Sequence, residues 1–362
     1  MLDLFFISSP LHMLMAANLS LSEPERVHVA IMIAKQAAAQ ARHAAIAERF
    51  PELFNRVVML PAPGRWRGTF RARGGIRILE DLIADADAIR IFTGNDRRME
   101  FQYAMHIATR RGRQVEGIYL DEGAVTYTGH KSMHRIQHRY IDPCFKKVCH
   151  GFWYRNAITT GASAWIETAC VAFPDAVHPL LRGKRLKPIA LAPFKTDALK
   201  ALAAAMLDGH ADYSELLGGI KFLLTLPHEG SYRRHPDRYR AIDRALGAAI
   251  PPATVAIKPH PRITDPGMVA RMFPGAVVLD HRVGMEAMLP LLNDTCIVAG
   301  DISSTLLTTR WLRPDLTVVA IAGREAAPAG LLKLYDRLRI PVVPPADLPA
   351  WLATLDTPPP LG

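Results

Sequence analysis

Cysteine is scarce in this 362-residue chain: four residues, Cys144, Cys149, Cys170 and Cys296, fall at irregular spacing. So few thiols in so long a chain make no disulfide framework and fit a reducing, cytoplasmic compartment. Cys144, Cys149 and His150 lie close together, but no second ligand pair follows them, which argues against a metal site. Long apolar runs are missing too. No stretch approaches the roughly 18 apolar residues that a membrane-spanning helix needs. The apolar opening MLDLFFISSPLHMLMAANLS lacks a basic leader region, carries Asp3 early and is broken by Ser8-Ser9-Pro10, so it reads as a strand, a loop and a helix. Zinc-finger spacing and aromatic-basic interleaving are also absent, which argues against nucleic acid as a partner.

The composition, 49% hydrophobic and 22% charged, is that of an ordinary globular protein and excludes disorder as the main theme. At about 100–200 residues per domain, the length predicts two domains, each with its own core. Basic residues outnumber acidic ones, 44 to 34, for a net charge of +10, and they cluster in residues 65–77 and 130–139. Such fields attract phosphates, acidic sugars or an anionic membrane surface without choosing among them.

Apolar runs at residues 2–7, 27–33, 57–60, 88–92 and 115–120 alternate with helical spacing at 11–21, 36–50, 76–84 and 99–111. Strands that alternate with helices predict a parallel, doubly wound sheet. The rhythm loosens between about 180 and 215 and then resumes, with strands expected at 220–226, 254–257, 276–279, 295–299 and 316–321. The expected fold is therefore α/β, with two Rossmann-like doubly wound domains. The first spans residues 1–190 and the second 215–340, followed by a terminal segment, 341–362.

In open α/β sheets ligands bind at the carboxyl ends of the strands, so residues there are the candidates. Asp121, Glu122 and Gly123 end the strand at 115–120. Two adjacent carboxylates at such an edge suit general-base work, because each raises the pKa of the other, although Asp-Glu-Gly is also ordinary turn chemistry. In the second half, His260 follows the strand-like run TVAIK, stiffened by Pro259 and Pro261. Lys258 and Arg262 flank it with positive charge, which a nucleotide phosphate would complement. Ser303, Ser304 and Thr305 stand between a strand ending in Gly300 and an apolar helix, where free N–H groups and the helix dipole hold phosphate. Plain helix capping would use one of these hydroxyls. Glu286, early in a helix, could accept hydrogen bonds from a ribose diol or merely complement the helix dipole. Together these residues would line a cleft between the halves, with an acid/base pair and a phosphate site.

Taken in order, Asp121-Glu122-Gly123, His260-Pro261 and Ser303-Ser304-Thr305, with the opening FFISSPLHMLMAA, make the chain resemble the bacterial sialyltransferases and polysialyltransferases of the two-Rossmann, GT-B type. That resemblance implies an inverting, metal-independent glycosyltransferase with no cofactor, moving a nonulosonic acid from a CMP-sugar to a glycan hydroxyl in capsule or lipooligosaccharide synthesis. It implies Asp121 as general base with Glu122 supporting it or sharing the role, His260 at the departing CMP phosphate, Ser303 and Ser304 binding that phosphate, and Glu286 on the ribose. An acidic acceptor and peripheral contact with the inner membrane would suit the basic fields. Other donors, such as CMP-Kdo, a UDP-sugar or a CDP-polyol, and a non-catalytic glycan-binding role on the same fold, stay open as alternatives.

Overall fold

The computed structural model describes residues 1–34, 37–61, 73–129, 151–207, 213–326 and 329–355, together with Ile141, Cys144, Phe145, Lys147 and Val148. The basic stretches at 65–72 and 130–139 lie outside the described residues, as do Cys149 and His150. The chain divides into two compact units, residues 1–205 and 206–362. Each unit is an α/β layer structure built on one parallel sheet.

The first unit runs β1 (Leu2–Phe6), α1 (Pro10–Ser22), β2 (Val27–Ile33), α2 (Ala37–Ala47), β3 (Arg56–Leu60), α3 (Arg73–Ala84), β4 (Ala88–Thr93), α4 (Met99–Arg110), β5 (Gln114–Leu120), a short α5 (Ala124–Thr128), β6 (Thr168–Val171) and β7 (Arg185–Pro188). Its seven strands lie in the order β3-β2-β1-β4-β5-β6-β7, and all pair in parallel. The central strand β1 is apolar at four of its five positions and wholly buried, as expected of a parallel strand covered on both faces. Its one charge, Asp3, is matched in register by His28 of β2 and Arg90 of β4, and Arg90 grips the carboxylate through two nitrogens. This buried ionic cluster ties three neighbouring strands at their amino-terminal ends, opposite the edge where ligands bind.

A helix of one unit, α6 (Asp197–Met206), reaches the division between the two. The second unit then runs α7 (Tyr213–Gly219), β8 (Phe222–Thr225), α8 (Glu229–Arg234), α9 (Pro236–Ala249), β9 (Val255–Lys258), α10 (Pro266–Met272), β10 (Val277–Val278), α11 (Met285–Met288), β11 (Ile297–Gly300), α12 (Ser304–Leu312), β12 (Thr317–Ile321), α13 (Ala329–Arg337), β13 (Val342–Val343) and α14 (Leu348–Leu355). Its sheet has six parallel strands in the order β10-β9-β8-β11-β12-β13. Phe222, Leu224, Ile257 and Val319 from the sheet pack with Tyr239, Ile242 and Leu246 of α9 and with Leu348 and Leu352 of α14 in one core. Burying each of these large side chains contributes about 1.5–3 kcal/mol. Residues 342–355, read from sequence as a terminal segment, thus supply an edge strand and a core helix.

All ten strands expected from the hydrophobic pattern form. Three more, β6, β7 and β13, carried no pattern. Strand β7 is RLKP, three-quarters polar or proline and mostly exposed, the composition of a guarded sheet edge. Strand β13 has only two residues. Among the described residues no helix is long and apolar enough to cross a membrane.

Candidate functional site

In the first unit the chain winds outward from β1 through β2 to β3, then returns to the other side of β1 at β4. The carboxyl ends of β1 and β4 therefore flank the point where the winding reverses, the usual ligand position in such sheets. Three segments meet there. After β1, Ser9 caps α1 by accepting from the backbone N–H of His12 at 3.2 Å, with Pro10 at the first helical position. This cap directs the His12 side chain inward, where it is 1% exposed. After β4 comes Gly94, then a turn in which Asn95 N–H donates to Thr93 Oγ1 at 3.0 Å and Arg97 N–H to Asn95 Oδ1 at 3.1 Å. After β5 come Asp121 and Glu122, then Gly123 with φ +74°, a left-handed turn that glycine adopts without strain.

Asp121 is buried, and both its oxygens are occupied. Oδ1 accepts from Gly123 N–H at 2.7 Å and Thr126 Oγ1 at 3.0 Å; Oδ2 accepts from Ala172 N–H at 2.9 Å and from the Tyr127 hydroxyl. Burial pushes its carboxyl up, while these donors hold it down. Asp121 thereby ties the end of β5 to α5 and to the segment after β6.

Glu122 differs in every respect. Its side chain is 35% exposed, Oε2 lies 3.5 Å from His12 Nε2, and that oxygen is closed to solvent without a hydrogen-bond partner among the described residues. Burial is the main force that lifts its carboxyl to about 7, opposed by Arg98 and aided by Asp121 and Asp96. His12 is driven down to about 4 by burial and by Arg98, against a hydrogen bond to the Asp121 backbone that raises it, so it is neutral near pH 7. Its Nδ1 shares a 2.9 Å hydrogen bond with Ser8 Oγ. Gly94 makes this meeting possible: a Cβ there would stand 2.1 Å from His12 Cε1 and Nε2 and 2.5 Å from Glu122 Oε2. Close behind, buried Asp96 accepts from Gly161 N–H at 3.0 Å and Ser163 N–H at 2.8 Å, fixing the segment between β5 and β6.

The second sheet repeats the arrangement. Its winding reverses between β8 and β11, and the candidates cluster at the carboxyl ends of β8, β9 and β11. His228 follows β8 and His260 follows β9, with ring centroids 5.5 Å apart at a steep angle. Each Nδ1 accepts a backbone N–H two residues on, from Gly230 at 3.2 Å and Arg262 at 3.1 Å. With Nδ1 an acceptor, the neutral ring carries its proton on Nε2 and offers it as a donor. Burial first, then His228, Arg262 and Lys258, lower the His260 pKa and favour that neutral form. Glu229 holds the His260 loop in place by accepting Thr264 N–H at 2.7 Å and its hydroxyl at 2.5 Å. Those two bonds depress its carboxyl to about 2.

Lys258 is buried, and its Nζ donates to the carbonyls of Pro259 at 2.9 Å and His281 at 3.1 Å. Burial lowers its pKa to about 8, and the nearby Glu286 and Asp280 oppose that shift. Glu286, in the first turn of α11, is raised by burial and lowered by a backbone hydrogen bond and by Lys258. Lys258 and Glu286 thus lie near enough to sense each other's charge, while Lys258 Nζ donates to backbone carbonyls. Ser303 is the N-cap of α12 yet makes no side-chain cap; its Oγ is closed to solvent and unpartnered among the described residues. Its backbone is stapled by Tyr335, whose hydroxyl accepts from Ser303 N–H at 2.9 Å and donates to its carbonyl at 2.7 Å. The first N–H groups of α12 thus lack a side-chain cap, as a phosphate site requires. Ser304 is exposed and Thr305 half-buried. Asp301 is turned inward to Arg238 and to the Tyr239 hydroxyl at 2.9 Å. A cavity of about 640 Å³ beyond it is lined by His235, Arg238, Arg324 and Glu325, but Arg238 is engaged by Asp301 and Arg324 by Asp336.

Gly94 and Arg98 carry no motif, His12 lies within the opening FFISSPLHMLMAA without a role assigned to it, and His228 and Glu229 stand out in the sequence only as part of a strand end. Besides that segment, the advance signal for His12 was its place three residues after Ser9 at a Ser-Pro helix start on the first strand's edge. Among the described residues no cluster of three His, Cys, Asp or Glu side chains could hold a metal ion.

No family model and no curated protein matches the chain. Its architecture does match solved structures. The α/β-galactoside α-2,3-sialyltransferase of the luminous marine bacterium Photobacterium phosphoreum superposes with a TM-score of 0.64 at 13% identity, covering 96% of this chain and 99% of that one. The UDP-GlcNAc 2-epimerase of Methanocaldococcus jannaschii gives 0.58 at 12% identity over 98% and 93%. S. aureus MnaA, solved with UDP, gives 0.52 at 11% identity over 98% and 88%. The chain has the GT-B fold. At these identities the likeness carries the fold and leaves the chemistry to the site.

Proposed function

We propose that the protein is a nucleotide-sugar-dependent, inverting glycosyltransferase that moves a nonulosonic acid from its CMP-activated form to a hydroxyl of a glycan. The observation that carries this reading is the contrast between the two strand-end clusters. One holds a carboxylate raised to about 7, at the working point of a general base. The other holds two facing histidines, with the neutral form of His260 favoured, and an uncapped helix start that suit a phosphate.

In this reading the Asp121-Glu122 pair supplies the base, with the accessible carboxylate of Glu122 taking the proton from the acceptor hydroxyl and Asp121 holding the turn that presents it. The acceptor oxygen forms a bond to the anomeric carbon as the bond from that carbon to the phosphate oxygen breaks, and CMP departs with the electron pair. His260 donates through Nε2 to the developing phosphate charge, with His228 beside it. Ser303, Ser304 and Thr305, with the first N–H groups of α12, bind the same phosphate, and Glu286, poised by Lys258, accepts from the ribose hydroxyls. No metal takes part in this scheme. An acidic glycan acceptor and a cytoplasmic site of action, peripheral to the inner membrane, complete the proposal.

A second reading, an enzyme of UDP-sugars, is kept because two of the matched folds belong to proteins named for UDP-GlcNAc or solved with UDP. Thermal-shift titration of the purified protein with CMP, UDP, ADP, GDP and CDP, without and then with magnesium, separates the two. Ligand binding to the folded state alone raises the melting temperature. A shift with CMP and not UDP, independent of magnesium, is the expected result; a shift with UDP and none with CMP would sink the CMP-sugar assignment.

A further inference from the structure

We propose that His12, held by Ser8, is a positioning residue that fixes the inner oxygen of the Glu122 carboxylate and leaves the outer oxygen free for the acceptor hydroxyl. The proposal rests on Glu122 as the base. Four facts converge on it. His12 is wholly buried, although a free histidine gains nothing from leaving water. Its Nδ1 is bonded to Ser8 Oγ at 2.9 Å. Its Nε2 faces Glu122 Oε2 at 3.5 Å, the outer limit for a hydrogen bond and a common spacing in unliganded sites. Finally, Oε2 is desolvated and has no hydrogen-bond partner among the described residues, and the space both groups occupy exists only because residue 94 is glycine.

The tautomer follows from the partners. A carboxylate only accepts, so the imidazole proton must sit on Nε2, and the Ser8 hydroxyl must donate to Nδ1. Ser8 then donates to His12, whose ring proton has two acceptors near it, the Asp121 backbone and, at 3.5 Å, Glu122 Oε2. A donor bonded to the charged form stabilises it, so His12 holds the Glu122 pKa below the value that burial alone would set. The other groups facing Glu122 are Arg98, which lowers its pKa, and Asp121 and Asp96, which raise it; Tyr119 of β5 also senses its charge.

The test is a titration of Glu122 in full-length protein labelled with carboxyl-¹³C glutamate, its resonance assigned by its loss in Glu122→Gln. In His12→Leu, which keeps the burial and removes the donor, the midpoint should rise by about one pH unit. His12→Gln, whose amide reaches the Nε2 position, should restore most of the original midpoint. Ser8→Ala should move the midpoint in the same direction as His12→Leu by a smaller amount, and it serves in its place if the leucine variant fails to fold. An unchanged midpoint in both His12→Leu and Ser8→Ala overturns the proposal. In transfer assays the acid limb of kcat should follow the midpoint while the donor KM stays constant. The titration does not need turnover: a shifted midpoint in a protein that transfers no sugar would leave the positioning role standing and remove the glycosyltransferase reading alone.

Discussion

Asp121 and Glu122 are consecutive residues with opposite surroundings, and the difference assigns them different work. Asp121 accepts four donors and is closed off. In Asp121→Asn one of those donors must face an amide N–H₂, at a cost of about 1–3 kcal/mol for a buried group left unsatisfied. Glu122 has one close neighbour and an exposed edge. Glu122→Gln should fold normally, bind CMP as before and lose about 10²–10⁴-fold in transfer rate, the usual worth of a general base. The pH dependence has a fixed sign. The folded carboxyl binds its proton more tightly than the ordinary value of 4.5, reaching about 7. Taken alone, this carboxyl contributes stability that falls as pH rises through that window, while buried His12, lowered to about 4, contributes stability that grows as pH rises to its ordinary 6.5; activity rises toward pH 7 as the base form fills. Denaturant melts from pH 4.5 to 8 should show a more positive slope of stability against pH in Glu122→Gln than in the native protein, the difference being the Glu122 contribution. Full transfer by Glu122→Gln beside an inactive Asp121→Asn that is still folded would reverse the two roles.

At the level of elements, the site depends on how closely strand ends and helix starts approach. Gly94 is the tightest point, since a Cβ there would overlap the His12 ring. Gly94→Ala must displace α1 or the Glu122 carboxylate. Overpacking of this kind costs about 1–3 kcal/mol, and transfer should drop by more than the melting temperature suggests; a variant with native activity would show that His12 and Glu122 need not meet. This element scale also marks where sequence stops being informative. The alternation of apolar runs and helical spacing was enough for ten strands, because most are buried and each carries its own pattern. It could not disclose β7, whose residues are those of an exposed edge. The strand-end placement of the carboxylate pair, His260 and the hydroxyl cluster was legible, because glycine or proline after an apolar run marks where a strand stops. His12 was not, since its partner lies 110 positions away (122 − 12) and they meet only because β1, β4 and β5 are neighbours in the sheet. His228 was half legible: its strand was visible, while its pairing with His260 depends on β8 lying beside β9.

At the scale of the whole molecule, the chain carries an excess of ten positive charges, and the chemistry proposed for it uses anionic substrates. A CMP-nonulosonate carries a phosphate and a carboxylate, and an acidic glycan carries one charge per acidic residue, so a basic protein should capture both faster than neutral analogues. Salt tests this directly. The screening length falls from about 30 Å at 0.01 M to about 8 Å at 0.15 M, which removes long-range steering and leaves direct contacts nearly intact. The expected outcome is a several-fold fall in kcat/KM for an acidic acceptor across that range, with a much smaller change for a neutral acceptor of the same length and little change in kcat for either. The comparison between acceptors matters because the donor is anionic in both cases, so its own salt dependence cancels in the ratio. Equal salt sensitivity for the two acceptors would mean that the basic surface serves the donor alone, and the acidic-acceptor assignment would fall while the CMP-sugar reading stood.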